Sequence, residues 1–191
     1  MGLSGLPYWT TDIGGFHGGD PSDPQFRELF VRWFQFGTYC PVMRLHGDRE
    51  PKQKQVGHTG GATCRSGAPN EVWSYGEEVY EICRKYLKVR EEMREYTREL
   101  MVQASEKGQP VIRTCFFEFP QDDRCWSLDD QYMYGFRYLC APVLEEGMER
   151  RKVWLPKGTS WREVENGREY DGGQEVEVDC PMDTMPVFER L

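Results

Sequence analysis

Two polar residues stand where short apolar runs give way to glycine-rich turns. Asp12 lies in Thr10-Thr11-Asp12-Ile13-Gly14-Gly15-Phe16, after the run Leu6-Pro7-Tyr8-Trp9. His46 opens His46-Gly47-Asp48, after the run from Tyr39 to Leu45. A loop carboxylate accepts hydrogen bonds from the amides of its own turn or from the hydroxyls of a ligand, and an imidazole can donate or accept. By residue type alone both readings stand: Asp12 as a turn-former and His46 as an ordinary polar residue at a strand end, or both as binding groups. Phe16 is either a loop anchor or an apolar wall, and Arg44 reads as an ion-pair partner. His17 and His58 fall in poorly constrained loops and carry no assignment. The seven cysteines show no C-x-x-C spacing and do not cluster with the three histidines. They read as reduced, buried thiols, so no metal site is expected.

The elements that must position these groups follow from punctuation and periodicity. The two apolar runs read as short strands, with a helix between them. Asp23 suits its N-cap, Pro24 its first turn and Gly37 its end. Phe26, Leu29, Phe30, Trp33 and Phe34 fall on one face at helical spacing. Strand, loop, helix, strand is the alternation of a parallel α/β unit. Residues 51–70, rich in Gly, Lys, Gln and Ser, read as a long exposed loop. One long helix is expected from Tyr75 to about Lys107, opened by a Ser74/Glu77 capping box and stopped by Gly108 and Pro110. Its apolar stripe includes Val79, Ile82, Cys83, Tyr86, Leu87, Met93, Leu100 and Met101. Beyond Pro110 the stretches Val111–Phe119, Tyr138–Leu144, Lys152–Leu155 and Glu175–Asp179 read as strands. A boundary is therefore expected near 108–110, between an α/β part and a β-rich part.

The chain has 191 residues and carries 32 acidic against 24 basic side chains, a net charge of -8. Nucleic acid is a poor partner for such a surface, because phosphate neutralisation needs a basic patch. Aromatic residues make up 14%, which argues against disorder. No apolar run approaches the ~20 residues of a membrane span. Met1 to Gly5 lacks a basic region and a long apolar run, so a signal peptide is not expected. The reduced thiols favour a cytoplasmic setting.

The order of several motifs resembles glycoside hydrolase family 31, the α-glucosidases and α-xylosidases. They are Gly2-Leu3-Ser4-Gly5-Leu6-Pro7-Tyr8-Trp9-Thr10-Thr11-Asp12-Ile13-Gly14-Gly15-Phe16, Arg32-Trp33-Phe34-Gln35-Phe36-Gly37 and Pro41-Val42-Met43-Arg44-Leu45-His46-Gly47. Then come Pro110-Val111-Ile112-Arg113 with Glu118-Phe119-Pro120, Asp130-Gln131-Tyr132-Met133-Tyr134-Gly135, Ala141-Pro142-Val143 and Trp154-Leu155-Pro156-Lys157-Gly158. After Gly47-Asp48-Arg49-Glu50-Pro51 the loop to Asn70 departs from the pattern, as does Thr114, where the family often has proline.

The resemblance implies an α/β plus β fold. Residues 1–109 would be the last two β/α units of a (β/α)8 TIM barrel, and residues 110–191 the start of a C-terminal β-sandwich. Asp12 would follow the seventh barrel strand and His46 the eighth, both facing the sugar pocket. Asp12, Phe16 and His46 would bind substrate, with Arg44 in support. The family is retaining, with one carboxylate as nucleophile and one as acid/base. Both would lie upstream of Gly2, so no catalytic residue is expected in this chain. The chain is thereby expected to be a fragment, inactive by itself. It would belong to a hydrolase of terminal α-linked xylose or glucose that uses no cofactor. The alternative is a non-catalytic carbohydrate-binding or scaffold piece, built on the aromatics of the β-rich half. The fragment reading further predicts poor cover for Phe26, Phe30, Trp33, Phe34, Ile82, Tyr86, Met93 and Leu100, and hence a marginal first half.

Overall fold

The computed structural model describes residues 1–51, 57–59, 62–64 and 67–191. Its helices are α1 (Pro24–Thr38), α2 (Glu77–Glu92), α3 (Arg94–Lys107) and the single turn α4 (Cys115–Glu118). Strands β1 (Gly57–Thr59) and β2 (Ala62–Cys64) pair as a hairpin. The expected exposed loop over 51–70 otherwise lies largely outside the described residues. Further on come β3 (Ile112–Arg113), β4 (Tyr132–Tyr134), β5 (Tyr138–Cys140), β6 (Arg150–Leu155), β7 (Ser160–Glu163), β8 (Glu169–Asp171), β9 (Gln174–Asp179) and β10 (Val187–Arg190).

The two strands expected ahead of Asp12 and His46 do not form. The runs lie alongside each other through Val42 N to Trp9 O and Ile13 N to Arg44 O, both 3.2 Å. They share only one parallel bridge, Ile13 with Leu45. Pro7 and Pro41 cannot donate to a ladder, which keeps the pairing short. Between them α1 starts as expected: the Asp23 carboxylate accepts from Gln25 N at 3.0 Å, with Pro24 in the first turn. Gly37 does not end this helix. It lies inside the last turn, where a Cβ would meet Ile13 Cδ1 at 2.7 Å, so its role is to let the Ile13 segment press against the helix. Phe30 and Phe34 are buried, whereas Leu29 is half exposed.

The expected long helix is two. It breaks at Met93, although Met93 N still donates to Val89 O and Thr97 N to Met93 O, so these bonds of the ladder bridge the break. No proline or glycine lies there, and nothing in the local sequence accounts for the break. The Ser74/Glu77 box is not made either. Ser74 sits in a 3-10 turn, Val72–Tyr75, and its hydroxyl bonds Glu71; Gly76 occupies the N-cap of α2.

The strand expected over Val111–Phe119 is confined to β3, after which the chain turns into α4. The main sheet has the order β3-β4-β5-β10-β7-β8, all antiparallel, and β6 with β9 forms a separate ribbon. Alternation along its strands splits the core in two. Met133, Leu139 and Phe188 face the ribbon's Val153, Leu155 and Val178, together with Trp161. The neighbours Tyr134, Cys140 and Val187 face the other way, onto Phe30, Phe34, Ile82, Tyr86, Met93 and Leu100 of the helices. These six helix residues, expected to lack cover, are each at most 7% exposed. The tyrosine-rich face of the sheet supplies the cover, and only Phe26 and Trp33 of the expected set remain partly buried.

The buried Arg32 and the partly buried Arg90 tie the helices to neighbouring loops. Arg32 on α1 donates to the carbonyls of Met148, Cys180, Pro181 and Thr184, and Arg90 on α2 to those of Thr38, Cys40 and Pro41. The Tyr86 hydroxyl accepts from Met185 N at 2.8 Å.

Candidate functional site

The turn after Ile13 and the turn after Leu45 meet. Gly47 has φ 103°, and a Cβ on it would lie 2.5 Å from Gly15 O and 2.6 Å from Phe16 O, so only glycine permits this approach. Asp48 N donates to Phe16 O at 3.1 Å and closes the contact.

Four expected site residues converge on this junction. The Asp12 carboxylate takes a hydrogen bond from Arg44 Nη2 rather than from the amides of its own turn; the turn is closed instead by Gly15 N donating to the Asp12 carbonyl at 2.7 Å. The ion pair is at the surface, where such contacts contribute about 0–1 kcal/mol. A carboxylate offers about four acceptor directions, so Asp12 can serve a further donor while Arg44 holds its orientation. Phe16 is exposed, and its ring centroid lies 5.2 Å from that of His46. His46 is exposed as well. The patch therefore offers a carboxylate, an imidazole and an aromatic ring to solvent, a mixture suited to a ligand with hydroxyl groups on one side and C–H groups on the other.

Further residues join the site that residue types alone did not single out. His17 packs edge-on against the other side of Phe16, with centroids 4.2 Å apart, and its Nδ1 bonds Asp48 Oδ1 at 3.2 Å. Arg49 is fully buried and its guanidinium donates to the carbonyls of Ile13 (3.2 Å), Gly15 (3.0 Å), Gly18 (2.9 Å), His46 (3.4 Å) and Asp48 (3.1 Å). Its Nε reaches Asn70 Oδ1 and the Tyr75 hydroxyl at 3.0 and 2.8 Å. The Tyr75 phenol is held above its ordinary pKa chiefly by burial, an effect that the hydrogen bond from Arg49 opposes.

The other features fit a ligand site less well. A cavity of about 730 Å³ opens beside Leu3, Leu6, Trp9, Trp33, Phe36 and Leu128, and none of the four expected residues lines it. Of the polar side chains that reach it, Arg32 is engaged with carbonyls, Arg113 with Glu118 and Gln131 with Trp154, while the buried Thr114 hydroxyl has no hydrogen-bond partner among the described residues. In the β-rich half Trp161 is buried and donates to Pro156 O, and Trp154 donates to Asp122. Trp126 is exposed, stacked at 4.6 Å on Phe116. Among the described residues no group of His, Cys, Asp and Glu could hold a metal ion. No helix among them is long and apolar enough to cross a membrane. Cys40, Cys83, Cys115, Cys125, Cys140 and Cys180 are all buried and unpaired.

Comparison with known proteins covers the whole chain. Residues 1–100 match the model of the glycosyl hydrolases family 31 TIM-barrel domain, and residues 108–191 that of the family's C-terminal domain. An alpha-xylosidase of Saccharolobus solfataricus is 33% identical over 98% of this chain, which spans 23% of that protein. A probable glucan 1,3-alpha-glucosidase of Arabidopsis thaliana is 33% identical over 100% of the chain, which spans 18% of it. Among solved structures, a GH31 alpha-xylosidase from a soil metagenome, complexed with xylose, is 48% identical with a TM-score of 0.95, covering 100% of this chain and 28% of its own. The xylosidase from Aspergillus niger follows the chain over 99% at a TM-score of 0.85 and 30% identity, with 28% of its own length covered. The meeting of the two turns thus occurs in a chain whose both halves match one enzyme family: it belongs to glycosyl hydrolase family 31.

Proposed function

We propose that this chain supplies one wall of the sugar pocket of a retaining α-glycosidase acting on terminal α-linked xylose or glucose. Residues 1–109 would form the last two β/α units of a (β/α)8 barrel, and residues 110–191 part of a β-sandwich. The observation that carries the reading is the convergence of Asp12, Arg44, Phe16 and His46 at one exposed junction of two turns. In a (β/α)8 barrel such turns surround the active site. Three of the relatives named above are alpha-xylosidases or a probable glucan 1,3-alpha-glucosidase by name, and one is complexed with xylose.

A retaining glycosidase needs two carboxylates about 5–5.5 Å apart across the scissile bond. We assign both to polypeptide beyond these 191 residues. One attacks the anomeric carbon as the other protonates the leaving oxygen; water then releases the sugar from the covalent intermediate. In this chain, Asp12 accepts hydrogen bonds from sugar hydroxyls, with Arg44 fixing the carboxylate. Phe16 lies against the C–H face of the ring. His46 donates to a hydroxyl near the reacting carbon, a bond that strengthens as positive charge develops there. The reaction draws on carboxylates and water, with no cofactor. The unpaired buried thiols fit a reducing compartment such as the cytoplasm.

The test is a chimera in which this chain replaces the matching segment of the soil-metagenome alpha-xylosidase. In it, Asp12→Asn and His46→Ala should each lower kcat/KM for p-nitrophenyl α-xyloside by about 10²–10³. Unchanged kinetics in folded variants would remove these residues from the pocket.

A further inference from the structure

We propose that Arg49 is the positioning residue of this sugar site, a role that rests on the function proposed above. It sets where Phe16 and His46 stand by holding the backbone of both turns that carry them. A guanidinium has five N–H donors in a planar fork. Here the fork faces seven oxygens: the carbonyls of Ile13, Gly15, Gly18, His46 and Asp48, the Asn70 amide oxygen and the Tyr75 hydroxyl. Three of these carbonyls lie in the turn around Phe16 and two flank Gly47. A single side chain therefore ties the two turns to each other.

It also ties them to the helices. The Tyr75 hydroxyl donates to Asn70 Oδ1 at 2.6 Å, and Asn70 Nδ2 donates to Gly47 O at 3.1 Å. The Tyr75 ring stacks on Phe30 of α1 with centroids 3.8 Å apart, and the guanidinium carbon lies 5.4 Å from the Phe26 ring centroid. The path from helix α1 through Tyr75 and Arg49 to both turns is continuous. Among the described residues the acceptors of Arg49 are all neutral oxygens, so its burial is not offset by an ion pair. What it does is supply donors to the carbonyls of both turns at once. Lysine, with three donors and no fork, cannot span them.

Histidine ring signals give a direct readout, because the full chain has only His17, His46 and His58. Aromatic ¹³C–¹H correlation spectra would be recorded for the wild-type chain, Arg49→Lys, Tyr75→Phe and Arg32→Lys. Tyr75→Phe keeps the stack on Phe30 and loses only the hydroxyl, so it decides the matter if Arg49→Lys does not fold. Arg32, which also collects carbonyls but none from either turn, controls for loss of stability alone. The expected result is that the His17 and His46 signals shift in Arg49→Lys and Tyr75→Phe and stay in place in Arg32→Lys. In the chimera, Arg49→Lys should lower kcat/KM by about 10²-fold, the effect of roughly 1 Å of misplacement. Signals unmoved in both Arg49→Lys and Tyr75→Phe, or moved as much in Arg32→Lys, would overturn the proposal. Failure of the sugar-site reading looks different: the chimera carrying wild-type Asp12 and His46 is folded and silent, whatever the histidine spectra show.

Discussion

Each residue that matters here does so through what its neighbours leave available. Asp12 and His46 keep polar atoms at the surface because Arg44 and Phe16 occupy only one side of each. The cysteines are the opposite case. Burial pushes the thiols of Cys40, Cys83, Cys115 and Cys125 up to about 12, and that of Cys180 up as well. Since the thiolate is the reactive form, these groups should be inert toward a disulfide reagent such as DTNB in the folded chain and react once it is denatured. Fast native reaction of several thiols at neutral pH would contradict the packing. The same shifts have a pH consequence. An acid whose folded pKa is raised keeps its proton while the unfolded chain loses it, so the unfolded state binds fewer protons and stability falls as pH rises. The decline should begin near the unfolded value of about 9 and run toward 12, as read by urea midpoints across that range.

At the scale of the element, two N-termini that look alike in sequence behave differently. Asp23 caps α1 with its side chain, whereas the Ser74/Glu77 pair ahead of α2 makes no capping box. Asp23→Ala should therefore cost about 0.5–2 kcal/mol, and Ser74→Ala much less, measured by chemical denaturation. Equal losses would mean that the box forms in solution. Asp23 and Pro24 were legible because a cap is decided within a few residues. The helix over Tyr75–Lys107 was legible in extent, while its break at Met93 carries no sequence mark. The runs before Asp12 and His46 read as strands but remain a bridge, because ladder pairing depends on partners remote in sequence. The turn glycines and the polar residues beside them marked the candidate site. Arg49 did not stand out, since in sequence it is one charged residue between two others, Asp48 and Glu50, and only the fold brings five carbonyls to its guanidinium.

For the molecule as a whole, the main sheet is a wall shared by two cores. Phe188 on β10 faces the ribbon, and its neighbour Val187 faces the helices. Truncating Phe188 to alanine should cost about 3–5 kcal/mol, against a net domain stability of about 5–15 kcal/mol. Because the sheet serves both cores, the helical and β-rich halves should unfold in one transition, and Phe188→Ala should lower both probes of it together. Two separable transitions, one unmoved by the substitution, would show that the halves are independent. The functional claim is likewise about the whole: this chain provides a sugar-binding wall, and the bond-breaking carboxylates come from elsewhere. It is tested most directly by assaying, side by side, the 191 residues alone and the chimera with the soil-metagenome alpha-xylosidase for hydrolysis of p-nitrophenyl α-xyloside. The account predicts turnover by the chimera and none by the chain alone; turnover by the chain alone, or a folded chimera without activity, would contradict it.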